Sequence, residues 1–359
     1  MTMLKLGRVR LVVMSVGVLA VAIVSWVSMV SRESNKGLES HDAPQPAAET
    51  RALQETHPAN QDGETDLAQL LHPSPEPPFS TPGSHERTLL VGDRERSYVL
   101  HVPSNYDHEK STPLVLVFHG RLGTGRLMEH MTGFSEIADS GFIVAYPDGI
   151  GRSWNAGHGV GLAESLGVDD VGFIAQLIDD LNHELHIDLR RIYAAGMSNG
   201  GMFAYRLACE LKGRIAAAAS VAGPLPPEIA GNCHAAGAIS VLHIHGTADQ
   251  IVPWNGGETT SGGKILSVDA TIQQWASADN CSDSPTVTLN KGSVECQSYR
   301  NCAHETEVSL CRVEGGGHTW PGSKPSRLFQ SMVGPTNQDV NATGMIWDFF
   351  SRHPLSLEK

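Results

Sequence analysis

Arg191-Ile192-Tyr193-Ala194-Ala195-Gly196-Met197-Ser198-Asn199-Gly200-Gly201-Met202-Phe203-Ala204-Tyr205-Arg206-Leu207-Ala208 is the stretch whose reading decides the fold. Residues 191–195 read as a short buried strand, and residues 201–208 carry apolar side chains at helical spacing. Between them stands a G-x-S-x-G sequence. Strand, sharp turn and helix around a serine make a nucleophile elbow: small residues permit a strained turn that lifts the hydroxyl above the sheet edge. The helix that follows points its free N–H groups toward the same place. A glycine-rich turn with no chemistry is the competing reading, and the rest of the chain has to separate the two.

A serine hydroxyl is a weak nucleophile near neutral pH and needs a base held by an acid. Both residue types follow in a usable order. Ser240-Val241-Leu242-His243-Ile244-His245 reads as a strand that runs into Gly246-Thr247-Ala248-Asp249. A later strand, Glu307 to Val313, runs into Gly315-Gly316-Gly317-His318. Asp249 and His318 therefore each sit just past a strand in a turn of small residues. The order Ser, Asp, His is that of the α/β-hydrolases, where the three side chains meet at the carboxyl edge of one sheet. Asp249 would fix the tautomer of His318, which would take the Ser198 proton. An oxyanion hole needs preoriented N–H donors; the backbone N–H of Asn199 is one candidate. The other belongs to the loop after Leu114-Val115-Leu116-Val117-Phe118, with Arg121 the choice and Leu122 the second. His119 ends that buried strand beside a glycine and reads as a structural hydrogen-bonder.

Several further segments carry a family resemblance that covers the chain from about Arg87 to Phe350. These are Leu116 to Gly120, Tyr146-Pro147-Asp148-Gly149, Ser153-Trp154-Asn155-Ala156-Gly157, Val168 to Ile174, Gly196 to Gly200, His245 to Asp249, and Gly317-His318-Thr319-Trp320-Pro321-Gly322. In this order they resemble the polyhydroxybutyrate depolymerase-type esterases, a group that overlaps the feruloyl and acetyl-xylan esterases of carbohydrate esterase family one. The resemblance implies an α/β-hydrolase serine esterase with Ser198, Asp249 and His318 as its triad and no cofactor or metal. Many members that attack solid polyester carry a separate adsorbing domain after the catalytic one. This sequence runs to Lys359 shortly after its last expected helix, so soluble or oligomeric esters are expected to be better substrates than crystalline polymer.

The resemblance also supports pairing of Cys209 with Cys233, which would tie the helix after the nucleophile to the next loop. Strands Val294 to Arg300 and Thr306 to Arg312 can form a hairpin that sets Cys296 opposite Cys311, and Cys281 is expected to pair with Cys302. An even set of six cysteines fits an oxidising compartment.

Residues 1–30 read as a signal anchor or signal peptide. Lys5, Arg8 and Arg10 precede an uncharged, mostly apolar run from Leu11 to Val30, long enough to span a bilayer as a helix. Residues 31–84 are polar and Pro-rich, with Pro73, Pro75, Pro77, Pro78 and Pro82 clustered near their end, and read as a disordered linker. Residues 85–355 are expected to form one α/β domain with a mostly parallel central sheet covered by helices on both faces. Its elements would be a hairpin near Arg87 to Val102, strand Leu114 to Phe118, helix Leu127 to Asp139, strand Phe142 to Tyr146 and helix Asp170 to Leu185. Strand Arg191 to Ala195, helix Asn199 to Leu211, strands Ile215 to Val221 and Ser240 to His245, helix Ile265 to Ala278, two late strands and helix Asp339 to Phe350 would follow. The protein would be exported, anchored facing outward or secreted, and monomeric. A net charge of −13 without a basic block argues against nucleic acid as a partner.

Other motifs have bland readings beside sharp ones. His243 and His245 form an H-x-H pair near Asp249, but two local ligands are too few for a metal site, and strand-end histidines commonly hydrogen-bond loops. Asp169 and Asp170 open a helix, where carboxylates cap N–H groups. Trp154, Trp254 and Trp320 flank the expected site loops, and Trp154 and Trp320 are the candidates for a substrate-binding wall. Two other function classes fit the chain less well: a peptidase of the same fold, and a noncatalytic membrane-tethered binding protein.

Overall fold

A computed structural model describes residues 79–233, 238–282, 284–324 and 327–356. The expected anchor at 1–30 and all but the last residues of the expected linker lie outside these. Among the described residues, no helix is long and apolar enough to cross a membrane.

Ten strands form one sheet: β1 (Gly83–Val91), β2 (Arg94–Val102), β3 (Thr112–Phe118), β4 (Ile143–Pro147), β5 (Ile187–Met197), β6 (Ala217–Val221), β7 (Ser240–Gly246), β8 (Thr286–Lys291), β9 (Val294–Tyr299) and β10 (Val308–Val313). Their spatial order is β1-β2-β4-β3-β5-β6-β7-β10-β9-β8. The six central strands run parallel, and an antiparallel pair closes each side. Continuous apolar runs such as Leu114-Val115-Leu116-Val117-Phe118 suit this centre because a parallel strand is covered on both faces. Alternation then sorts them: Leu114, Leu116 and Phe118 enter one core, Val115 and Val117 the other.

The first core is roofed by helices α2 (Asp170–Glu184), α3 (Asn199–Glu210) and α4 (Val268–Ala278), which contribute Phe173, Leu177, Phe203 and Trp275. The second is roofed by α1 (Gly125–Thr132) and α5 (Ala342–Ser351), through Met128, Ile346, Phe349 and Phe350. This is a three-layer α/β architecture with helices on both faces. After β3 the chain crosses to β4 on one side, then returns to β5 on the other. The carboxyl ends of β3 and β5 therefore flank the point where winding reverses, which is where open α/β sheets leave a crevice for ligands.

Several elements differ from the sequence expectation. The short helices Leu162–Ser165, Pro227–Cys233 and Arg327–Val333 and the strand pair Gly257–Glu258 and Lys264–Ile265 were not expected, and the helix expected from Ile265 begins at Val268. The helix expected over Leu127 to Asp139 stops at Thr132, because Gly133 turns left-handed at φ 67° and its N–H caps the carbonyl of Glu129; a short helix, Phe134–Ile137, follows. Strand β8 was not expected at all. Its sequence, Thr286-Val287-Thr288-Leu289, does alternate polar and apolar residues, but the run is short and only Leu289 packs against the core while the rest of the strand is exposed.

Three disulfides join Cys209 to Cys233, Cys281 to Cys302, and Cys296 to Cys311. The first ties the end of α3 to the short helix Pro227–Cys233. The last links directly opposed residues of β9 and β10. With every cysteine paired, the domain is that of an exported protein.

Candidate active site

The nucleophile elbow begins with backbone strain. Ser198 has φ 56° and ψ −125°, outside the ordinary wells of an L-residue. Such a conformation costs on the order of 1–3 kcal/mol and persists only where its surroundings over-determine it. Here the surroundings are tight. A Cβ added to Gly200 would sit well inside contact distance of the Phe118 and His119 carbonyl oxygens, so the start of α3 packs directly on the end of β3. Gly196 is equally confined, by the backbone of Gly200 and Gly201.

Across the sheet edge, His318 Nδ1 donates to Asp249 Oδ2 at 2.7 Å. Asp249 is buried, and its other oxygen accepts the N–H groups of Ile251 (2.8 Å) and Val252 (2.9 Å). Burial alone pushes the Asp249 carboxyl up. The neighbouring His318 and His245 outweigh it and hold the group well below the usual carboxylate range. Ser198 and His318 line the same cleft, together with His119, Gly120, Arg121 and Asn199.

Asn199 is the first residue of α3, so its N–H has no intrahelical partner. Its side chain is buried and clasps the backbone of Trp154, accepting from the N–H at 2.7 Å and donating to the carbonyl at 3.1 Å. That clasp holds the loop after β4 against the elbow. On the other side, the N–H of Leu122 is already taken by the Arg152 carbonyl at 2.8 Å. Leu122, the second choice for an oxyanion donor, is thereby excluded; Arg121 remains in the cleft wall. His119 accepts the Gly149 N–H at Nε2 (2.9 Å) and so donates from Nδ1 to the Gly120 carbonyl (2.8 Å). Burial lowers its pKa to about 4. It is a neutral brace for the loop that carries Arg121.

The structure corrects the assignment of Trp154 and Trp320 as substrate walls. Both are fully buried. Trp154 stacks on Phe203 and donates to the His119 carbonyl at 3.0 Å, while Trp320 packs edge-on to Phe134 and donates to Thr343 Oγ1 at 3.0 Å. Each indole is turned into a core where its N–H finds an acceptor. The wall is made instead by Leu122, Leu127, Met128, Met131, Met197, Met202, Ile251 and Val333, with His158 and Thr259, Thr260 and Ser261 at one side. These come from separate segments, and only Leu127, Met128 and Met131, together on α1, carry a local signal.

Asp169 and Asp170 support the frame. Asp169 caps α2 by accepting the Gly172 N–H at 2.8 Å. Asp170 pairs with buried Arg96 at 2.7 Å and accepts the Asn155 N–H at 2.8 Å. Among the described residues no cluster of His, Cys, Asp or Glu is arranged to hold a metal ion.

A relative from Nocardia uniformis subsp. tsuyamanensis, the putative esterase NocK, is 32% identical over 282 residues, covering 73% of this chain and 81% of that protein. The chain belongs to the α/β-hydrolase esterases. The phospholipase/carboxylesterase family profile matches residues 167–270, which hold the elbow and Asp249. Feruloyl esterase B of Piromyces equi is 33% identical over 62% of this chain, and the chain spans 42% of that longer protein. The acetyl xylan esterase of Aspergillus awamori has the same fold: TM-score 0.52 at 16% identity, over 74% of this esterase and 99% of that one.

Proposed function

We propose that this esterase hydrolyses carboxylic esters through an acyl-enzyme formed on Ser198. The observation that carries the reading is the Asp249–His318 pair, closed at 2.7 Å beside a serine held at positive φ in the same cleft. With its Nδ1–H given to Asp249, His318 keeps Nε2 free to accept the Ser198 proton and later to return it to the leaving alcohol. The N–H groups of Asn199 and Arg121 would bind the oxyanion. Water would then repeat the attack on the acyl carbonyl, with His318 again as base.

Met128, Met131, Met197 and Met202 give the cleft a pliable, polarizable wall, and thioethers make favourable contacts with aromatic rings. That wall supports aromatic acyl esters of the feruloyl type ahead of acetyl or hydroxybutyryl esters. The esterase would act as a monomer outside the cytoplasm, tethered if residues 11–30 are retained as an anchor. Fluorophosphonate labelling is expected at Ser198, and Ser198→Ala is expected to abolish turnover in a folded protein. His318→Ala should lose about as much, and the double variant no more, because triad members act as a unit. Rates on feruloyl arabinose, acetylated xylan and hydroxybutyrate trimer, taken side by side, decide the acyl class; a preference for acetyl xylan or the trimer would refute the aromatic reading.

A further inference from the structure

Behind the Asp249–His318 pair, the core holds three polar side chains that the reaction does not touch. Tyr205 and His243 are completely buried and His245 is 1% exposed. They form a continuous series. The Tyr205 hydroxyl lies 2.9 Å from His243 Nδ1, His243 Nε2 lies 3.1 Å from His245 Nδ1, and His245 Nε2 lies 2.9 Å from the Val252 carbonyl.

The end of the series sets its direction. A carbonyl oxygen only accepts, so His245 Nε2 carries the proton and, in a neutral ring, Nδ1 accepts. His243 must then donate from Nε2, which leaves its Nδ1 to accept the Tyr205 O–H. Each ring is therefore a single tautomer, and each buried polar atom in the series is satisfied. Burial, with the neighbouring His245, holds His243 well below the usual histidine value, which keeps that ring neutral.

We propose that Tyr205, His243 and His245 are positioning residues for the acid of the triad, resting on the reading of Ser198 as nucleophile. His245 grips the Val252 carbonyl from the strand side, and Val252 and Ile251 present their N–H groups to Asp249 Oδ1. That leaves Oδ2 turned to His318, with His245 Nε2 3.5 Å behind it. The other end of the series is Tyr205, on the helix whose first turn carries the Ser198 elbow. The nucleophile helix and the acid loop are thus tied to each other through alternate residues of β7, and the H-x-H spacing is what puts both rings on one face of that strand. No proton needs to move along the series; its function is to hold one arrangement. Misplacing a reacting group by about 1 Å can cost on the order of 100-fold in rate.

The test is steady-state hydrolysis of p-nitrophenyl acetate by the full-length chain, with active sites counted by fluorophosphonate labelling of Ser198. His245→Leu is expected to lower kcat at least tenfold, with KM within threefold of wild type and labelling slower yet still one per chain. His245→Gln, whose terminal amide can donate where Nε2 did, is expected to recover most of the rate. A folded, stoichiometrically labelled His245→Leu that keeps kcat within threefold would overturn the proposal. Should the leucine variant fail to fold, His245→Gln is compared with His245→Asn, whose shorter amide stops before the Val252 carbonyl. A tenfold advantage for Gln supports the positioning role, and equal rates overturn it. A wild-type chain that takes no label at Ser198 overturns the parent reading, and this one with it.

Discussion

Replacing Asp279 by Asn should remove a pH dependence of stability that the wild-type fold carries. Asp279 ends α4 and is completely buried, accepting the Ile239 N–H at 3.2 Å. Burial outweighs this bond and one to Thr306, and raises its carboxyl from 3.8 to about 7. The folded state therefore holds the proton more tightly than the unfolded chain does. Stability falls as pH rises above about 4 and levels off once the pH passes the folded value. Ionisation in place costs about 4 kcal/mol in full, at 1.36 kcal/mol per pH unit between 3.8 and about 7; about 3 kcal/mol of it falls between pH 5 and 8. Asn carries no such proton. Urea unfolding at pH 5, 6, 7 and 8, with disulfides intact, gives ΔG for both proteins. Buried His119 and His243 contribute slopes of the opposite sign, but these are common to both proteins and cancel in the difference. The stability of the variant relative to wild type should rise by about 3 kcal/mol across that range. Curves that run parallel would refute the argument, whatever constant offset separates them.

Gly200→Ala should cost at least about 100-fold in kcat, because its Cβ must push the end of β3 and the Arg121 loop away from the elbow; wild-type kinetics in a purified Ala variant would contradict the packing. Trp154→Phe should leave KM on feruloyl esters unchanged while lowering the unfolding midpoint, since the indole N–H bonds to the His119 carbonyl inside the core. A large rise in KM with no loss of stability would restore it to the substrate wall. Replacing Cys209 and Cys233 together by Ser should destabilise the fold by about 2–4 kcal/mol, measured by denaturant unfolding, because that bond closes a loop of sequence separation 24.

The parts of the fold that the chain announced are those where local chemistry and tertiary position coincide. Strand β3 is a run of apolar residues because it is buried on both faces. The elbow is glycine-rich because Gly196 and Gly200 meet backbone at distances no Cβ tolerates. In both places one physical demand writes a contiguous pattern. Tryptophan illustrates the opposite case. Proximity to a motif places Trp154 and Trp320 in the right loops, but which way an indole turns depends on where its N–H finds an acceptor. Those acceptors are His119 and Thr343, remote in sequence. The break at Gly133 is of another kind: a glycine just past a helical run is a local stop signal, and the apolar periodicity that continues through Phe134 and Ile137 masks it.

The H-x-H pair stands between these extremes. Its period of two was visible, and it correctly implied two rings on one face of a strand. What the rings face was not, since the answer depends on Tyr205, contributed by a different element, and on a carbonyl at Val252 beyond the turn. Taken as ligands, two histidines beside an aspartate suggest a cation. Taken as donors and acceptors, with a carbonyl at one end and a hydroxyl at the other, they admit a single neutral arrangement. The same spacing therefore serves two chemistries, and the groups at the two ends of the series select between them. A residue of this kind is read from the complete account of its hydrogen bonds, because its own identity and its sequence neighbours leave the choice open.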